Sequence, residues 1–226
     1  MIKLHMTQVT REYRGIIMKT KTSKILLTVC VFLASAVVVS IIYLWLFKDN
    51  SKEDSMKNIS YVEGAFTINY NDLREVVGSA DYVFVGHVIS KGKTENDEVL
   101  PLPVTEYSIR VEENIKGQLI TDEDITIFKD GGISDISGNL VLFEGDYMPE
   151  TGHRYVFYAY AQPDGTLLLS GPISNVSLES SKAKAGNVNV DYSKNKEYLK
   201  TLDAYENEIM DDNERLTCKY DINAKK

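Results

Sequence analysis

YVFVGHVI, residues 82–89, is the stretch that decides the fold, because all but Gly86 and His87 are β-branched or aromatic. Such a run predicts a strand that is buried on both faces. Downstream, residues 107–112 alternate apolar and polar side chains, which is typical of a half-exposed strand. Similar but shorter signals occur at Ile125 and Ile127, at Leu140–Phe143 and at Arg154–Ala161.

A turn signal joins the last of these runs to the next one. Pro163, Asp164 and Gly165 separate Arg154–Ala161 from residues 166–170 (TLLLS), whose centre is apolar, and this predicts a β-hairpin. Several short strands separated by turns favour a mainly β fold, namely a small barrel or sandwich.

Two helices are predicted to flank the strands. Residues 71–78 form a short candidate that Asn71 caps. Residues 193–212 form a longer one with Ser193 as its cap, and its apolar stripe is Leu199, Leu202, Tyr205 and Ile209. Residues 182–190 alternate weakly, as a further strand would, and residues 213–226 are predicted to be loosely ordered.

Three segments together resemble a known family: residues 80–88 (ADYVFVGHV), 106–117 (EYSIRVEENIKG) and 152–158 (GHRYVFY) with 164–166 (DGT). Their order is similar to the netrin/TIMP-like branch of the OB-fold, and to uncharacterised membrane-anchored surface proteins of Gram-positive bacteria that share it. The resemblance covers residues 79–170. It implies an OB-like, five-stranded Greek-key barrel and no activity. Inhibitory members of the family chelate zinc through an N-terminal cysteine, which this chain lacks, so that mechanism does not carry over.

The N-terminal part has a different character. Residues 25–47 contain no charged side chain over 23 positions, and as a helix they would span roughly 35 Å, enough to cross a bilayer core about 30 Å thick. Residues 1–24 carry six basic residues and one acidic residue. The positive-inside rule therefore predicts a cytoplasmic tail (1–24), a transmembrane helix (25–47), a polar juxtamembrane linker (48–60) and an extracytoplasmic domain (61–226).

Three other interpretations of the apolar run remain open. Ala36 could end a cleaved signal peptide, Cys30 could end a lipoprotein signal, or the run could be a buried core helix. Met18 could also be the true start of the chain.

Charge and cysteine content narrow the classes of partner. Residues 48–226 hold 19 basic and 32 acidic residues, a balance that argues against nucleic acid. Cys30 and Cys218 are the only cysteines, and with one in the predicted membrane span they provide neither a disulfide framework nor a cysteine metal site. The predicted partners are the lipid bilayer and an extracytoplasmic protein, peptide or wall component.

Catalytic chemistry has little support in the sequence. A metal site would need His87, His153 and an acidic residue to meet. No Gly-x-Ser-x-Gly elbow, phosphate loop or EF-hand pattern is present. We therefore predict no catalytic, metal or cofactor residues.

The aromatic strand 154–161 gives the one positive signal for binding. Alternation sends Tyr155 and Phe157 to one face and Tyr158 and Tyr160 to the other. One pair is expected to fill the barrel, while the other packs under the C-terminal helix or lines a ligand surface. The candidate ligand surface therefore comprises Tyr158, Tyr160, His87 and His153.

These observations favour a membrane-anchored extracytoplasmic binding or sensing module that is not an enzyme. The alternatives are a passive structural or immunity-type surface protein and an extracytoplasmic hydrolase that uses acidic residues or the two histidines.

Overall fold

The computed structural model describes residues 58–96, 102–178 and 191–224, which lie within one compact unit, Met56–Lys226. The predicted tail (1–24), the predicted membrane span (25–47), most of the predicted linker and the weakly predicted strand at 182–190 lie outside these residues. Among the residues described, no helix is long and apolar enough to cross a membrane.

The described elements are nine strands, two α-helices and one short 3₁₀ turn. In chain order they are β1 (Ile59–Val62), α1 (Leu73–Ser79), β2 (Tyr82–Glu95), β3 (Val104–Lys116), β4 (Asp124–Asp130), β5 (Gly132–Ile133), β6 (Leu140–Phe143), β7 (Arg154–Ala161), β8 (Leu167–Leu169), β9 (Asn175–Ser177), the 3₁₀ turn Tyr192–Lys194, and α2 (Lys196–Glu206).

Five of the strands close into a barrel, which confirms the mainly β prediction. Their order is β2-β3-β4-β8-β7, and β7 pairs back to β2. The pairing of β4 with β8 is parallel, whereas the other four pairings are antiparallel. The predicted hairpin is present, since β7 and β8 pair across the Pro163–Gly165 turn. β9 continues alongside β7.

Strict alternation along β2 explains why the strand is buried on both faces. Tyr82, Phe84 and Val88 point into the barrel, where Phe84 packs against Phe157 with ring centroids 5.4 Å apart. Val83 and Val85 point outward into a second apolar cluster beneath the two helices. Both faces of the strand are therefore buried, which explains why its sequence is an uninterrupted apolar run.

Both helices pack on this outer face, but the predicted caps were wrong. Asp72 caps α1 in place of Asn71, since its carboxylate accepts from the Arg74 N–H. Asn195 caps α2, because Ser193 lies within the 3₁₀ turn that precedes the helix.

Of the predicted apolar stripe of α2, only Leu202 packs against the apolar cluster beneath the helices. Tyr198, Thr201 and Ala204 are the buried side chains, while Leu199 and Tyr205 are exposed. The helix is held by polar anchors: the Thr201 hydroxyl lies 2.9 Å from the Tyr158 hydroxyl, and the Tyr198 hydroxyl donates to Glu113. A search for hydrophobic periodicity does not detect such polar anchors. The helix α2 also ends earlier than predicted, at Glu206 and not at residue 212.

A small sheet of order β1-β6-β5 lies outside the barrel. Residues 59 and 60, which were assigned to the linker, begin β1. β1 runs parallel to β6, and β5 pairs antiparallel to β6.

The C-terminal segment is ordered up to residue 224, contrary to the prediction of a loose tail. Cys218 is fully buried in the barrel core. The Lys219 N–H donates to Gly165 O, and the Ile222 N–H donates to Gln118 O. These backbone bonds close the end of the barrel at which β2 begins and β3 ends. They leave no periodic pattern in the sequence, so the sequence could not predict them.

Candidate functional site

An open cleft lies on the outer face of the β7–β8 hairpin, beneath the segment that connects β1 to α1. Its volume is about 310 Å³, which is at the small end of the range for small-molecule sites. The lining residues are Ala65, Phe66, Thr67, Ile68, Tyr70, Ser79, Tyr160, Gln162, Leu168, Ser170, Asp211 and Asn213.

Three aromatic side chains shape the cleft. Tyr160 stands on the outer face of β7, and its hydroxyl lies 3.0 Å from the Ser79 hydroxyl at the end of α1. Phe66 meets Tyr70 edge to face, with ring centroids 4.8 Å apart. Rings held in this way present flat apolar faces at little cost in side-chain entropy when a ligand binds.

Tyr70 is held in place by a glycine. Gly171 has a φ of +95°, and a Cβ at this position would lie 2.2 Å from the Tyr70 hydroxyl. Only glycine provides both the left-handed backbone and the space for the phenol. Burial, together with the neighbouring Tyr160, Asp146 and Asp130, raises the pKa of Tyr70 well above its ordinary value. Its hydroxyl therefore stays protonated at neutral pH.

Polar groups form much of the rest of the lining, beside the apolar residues Ala65, Ile68 and Leu168. The Ser170 hydroxyl donates to Asp130 at 2.5 Å. Asp211 accepts from Arg215 and from Asn213, each at 2.6 Å. The carboxylate of Asp211 is thus fixed by two donors, and Gln162 adds an amide. The cleft combines aromatic faces with hydroxyl, amide and carboxylate groups.

A buried ion pair supports the strand that lies next to the cleft. Lys129 is 0% exposed, and its ammonium donates to Asp146 at 2.5 Å and to the Ser174 hydroxyl at 2.6 Å. Burial lowers the pKa of Lys129 and raises that of Asp146, while their mutual attraction opposes both shifts. Since all three side chains are buried, we interpret the group as a structural support and not as a nucleophile.

The structure separates the four predicted surface residues. Tyr160 lines the cleft. Tyr158 is buried beneath α2, where it meets Thr201. Of the two outcomes left open for this pair of tyrosines, packing under the C-terminal helix is therefore found for Tyr158, while a ligand surface at Tyr160 stays a prediction.

The two histidines are far apart in the chain, but the pairing of β2 with β7 brings their backbones close together. His87 is paired with Arg110 on one side and Arg154 on the other, on the outer face of the sheet. His153 is opposite Val88, whose side chain points inward, and its imidazole lies 3.6 Å from Glu150. His87 therefore shares a sheet face with two arginines, whereas His153 lies just before β7 and next to Glu150. Within the described ranges, no group of three or more His, Cys, Asp or Glu side chains could hold a metal ion.

Sequence reasoning missed Phe66 and Tyr70. They precede α1 in a segment with no periodic pattern, and they reach the cleft only because the chain folds back over the β7–β8 hairpin. A pair of aromatics outside any predicted element was the one available signal. The chain matches no protein-family model, and no curated protein is significantly similar to it.

Proposed function

We propose that the chain is a membrane-anchored extracytoplasmic binding module whose ligand occupies the cleft around Phe66, Tyr70 and Tyr160. The observation that carries this proposal is the meeting of aromatic faces and fixed polar groups in one open cleft. The anchor and the orientation rest on residues 25–47 and on the basic residues before them.

The barrel is proposed to be OB-like, as the resemblance to netrin/TIMP-like domains implies. The strand order, in which the third and fifth barrel strands pair in parallel, supports this proposal, and so do the two helices that pack together outside the barrel. Fold alone does not define a ligand, so the ligand class is argued from the cleft.

The chemistry of the cleft favours a small ligand that is neutral or cationic. Asp211 lies in the lining with Arg215 bonded to it, and Asp130 lies behind Ser170, so an anionic group would meet two carboxylates against one guanidinium. The flat faces of Phe66 and Tyr160 suit an apolar ring or a sugar face, and the hydroxyl and amide groups suit hydroxyls or peptide groups. A short wall glycan or a short uncharged peptide meets both requirements.

Saturation-transfer NMR tests the proposal, with chitooligosaccharides and short uncharged aromatic peptides as probes. The full-length protein in detergent micelles should transfer saturation to one of these two probe classes. Phe66→Ala should reduce the transfer several-fold, because the ring forms one wall of the cleft.

Tyr205→Ala is the matched control. Tyr205 lies on α2 outside the cleft lining, and both it and Phe66 are 38% exposed. Equal loss in the two variants, or no transfer to either probe class, would overturn the assignment of the cleft as the binding site.

A further inference from the structure

Three exposed apolar side chains lie on the small sheet at one end of the domain. Ile136, on the turn between β5 and β6, is 95% exposed, while Ile59 and Tyr61 of β1 are 49% and 57% exposed. We refer to Ile59, Tyr61 and Ile136 as the apolar tip. Isolated exposed apolar side chains are common, but a concentration of them on one small sheet indicates an interaction surface.

The turn that carries Ile136 is held against the start of β1. The Asn139 amide donates to the Ser60 hydroxyl at 3.1 Å, and the Leu140 N–H donates to Asn58 O at 3.2 Å. The turn is closed by the Ser134 N–H, which donates to Asn139 O at 2.9 Å. The apolar tip is therefore located where the chain enters the domain.

Chain length brings the apolar tip within reach of the bilayer. Ten residues, 48–57, separate the predicted span from Asn58. At about 3.3–3.6 Å per extended residue, they reach no more than roughly 35 Å. A short tether also raises the local concentration of the tip at the lipid surface to the millimolar range, so a weak contact is sufficient.

We propose that the apolar tip contacts the surface of the bilayer that anchors the chain, and so sets the orientation of the domain. This inference rests on the anchor in the proposed function. A second copy of the chain fits less well, since three side chains and a four-residue edge strand bury far less than the roughly 1,200 Å² of a specific interface. Exposed Glu63 and Asp135 flank the tip, which favours zwitterionic over anionic lipid.

Depth-dependent quenching tests the contact in the full chain. In a Cys30→Ala background, Ile136→Cys is labelled with an environment-sensitive fluorophore and reconstituted in phosphatidylcholine vesicles that contain doxyl lipid. Cys218 is fully buried and stays unlabelled under native conditions, which the labelling stoichiometry of the Cys30→Ala parent verifies. We expect several-fold stronger quenching at position 136 than at the control position.

Ile222→Cys is the matched control. Ile222 is 61% exposed, and its N–H bonds to Gln118, just after the end of β3. β5 lies at the other end of the barrel, where its Gly132 packs against Thr105 near the start of β3. Adding phosphatidylserine to the vesicles should weaken the quenching at position 136 while leaving that at position 222 unchanged.

The outcomes separate the two proposals. If the chain fails to float with the vesicles, both the anchor and this inference fall. If it floats and positions 136 and 222 are quenched equally, the inference alone is overturned. Oxidative cross-linking between copies at position 136 in sparsely loaded vesicles, in place of lipid quenching, would assign the surface to a second copy and also overturn it.

Discussion

Lys129 is a lysine that lies fully buried at a position where an apolar side chain is expected. It is on the inward face of β4, in line with Ile125 and Ile127, where the pattern calls for an apolar side chain. Its stem fills the end of the barrel core, and its ammonium binds Asp146 and Ser174. The pair thereby ties the chain after β6 and the chain before β9 to the barrel wall.

Removing only the lysine should destabilise the domain strongly. Lys129→Met keeps the stem volume but leaves Asp146 buried without its cation, a change that costs about 3–5 kcal/mol in comparable buried pairs. The double variant Lys129→Met/Asp146→Leu should recover most of this loss, because no charge remains buried. Urea unfolding of the detergent-solubilised chain, followed by circular dichroism, measures both values. A double variant less stable than Lys129→Met would contradict this interpretation.

The same variant should show a characteristic dependence on pH. Burial already raises the pKa of Asp146, and Lys129 is the largest of the influences that oppose this rise. In Lys129→Met the folded pKa therefore lies further above the unfolded value of about 3.9. A raised carboxyl pKa stabilises the fold below the unfolded value, and this stabilisation is lost as the pH rises through the folded pKa.

The stability deficit of Lys129→Met relative to wild type should thus be larger at pH 7.5 than at pH 4.5. Unfolding midpoints of both proteins at the two pH values provide the comparison. A deficit that did not change with pH would show that Asp146 is hydrated in the variant.

At the scale of elements, the ordered C-terminal segment is held by Tyr82 at the start of β2. The Tyr82 hydroxyl donates to Asp221 at 2.9 Å and accepts from the Cys218 N–H at 3.1 Å. Arg215 adds bonds to the carbonyls of Gly78 and Ser79 at the end of α1. A segment without periodicity is therefore fixed by hydrogen bonds to the ends of other elements.

Tyr82→Phe should loosen this segment and expose the Cys218 thiol. Loss of the hydroxyl leaves the buried Cys218 N–H unsatisfied and removes one of the bonds to Asp221, which keeps the bond from the Asn223 N–H, at a cost of about 1–3 kcal/mol. In a Cys30→Ala background, labelling of Cys218 by a thiol reagent should accelerate by roughly tenfold or more. Burial raises the pKa of this thiol, so the wild-type reaction should be slow.

Tyr155→Phe is the control for that experiment, since Tyr155 and Tyr82 are both 3% exposed. It removes a hydroxyl that accepts from the Glu150 N–H at 2.9 Å near the start of β7, whereas Lys219, next to Cys218, is bonded to Gly165 beyond the end of that strand. The labelling rate of this control should match that of the parent, and equal acceleration in both variants would indicate general destabilisation.

Elements defined by apolar repetition could be predicted from the sequence, and those defined by polar contacts could not. The run at residues 154–161 matches β7 in both bounds, and its alternation correctly separated Phe157 from Tyr160. The buried face of α2 was missed because Thr201 and Tyr198 are anchored through hydroxyl groups. Of the cleft, only Tyr160 was named from the sequence, because the position of Tyr70 depends on Gly171, which is remote in sequence.

At the scale of the whole molecule, membrane anchoring is the prediction on which localisation depends. The chain has a single tryptophan, Trp45, and it lies within the predicted span. Tryptophan fluorescence therefore reports on residues 25–47 alone, whatever the state of the barrel domain. In phosphatidylcholine vesicles with brominated acyl chains, the emission of Trp45 should be strongly quenched, because a residue near the end of a spanning helix lies at the lipid interface.

Unfolding the barrel domain provides the internal control for that measurement. Urea should abolish the circular dichroism signal of the strands without changing the position or the quenching of the Trp45 emission, since a helix in lipid keeps its backbone hydrogen bonds satisfied internally. Emission that shifts to longer wavelength together with domain unfolding would place Trp45 in the folded domain. The apolar run would then belong to a protein core, and the anchored topology proposed here would fail.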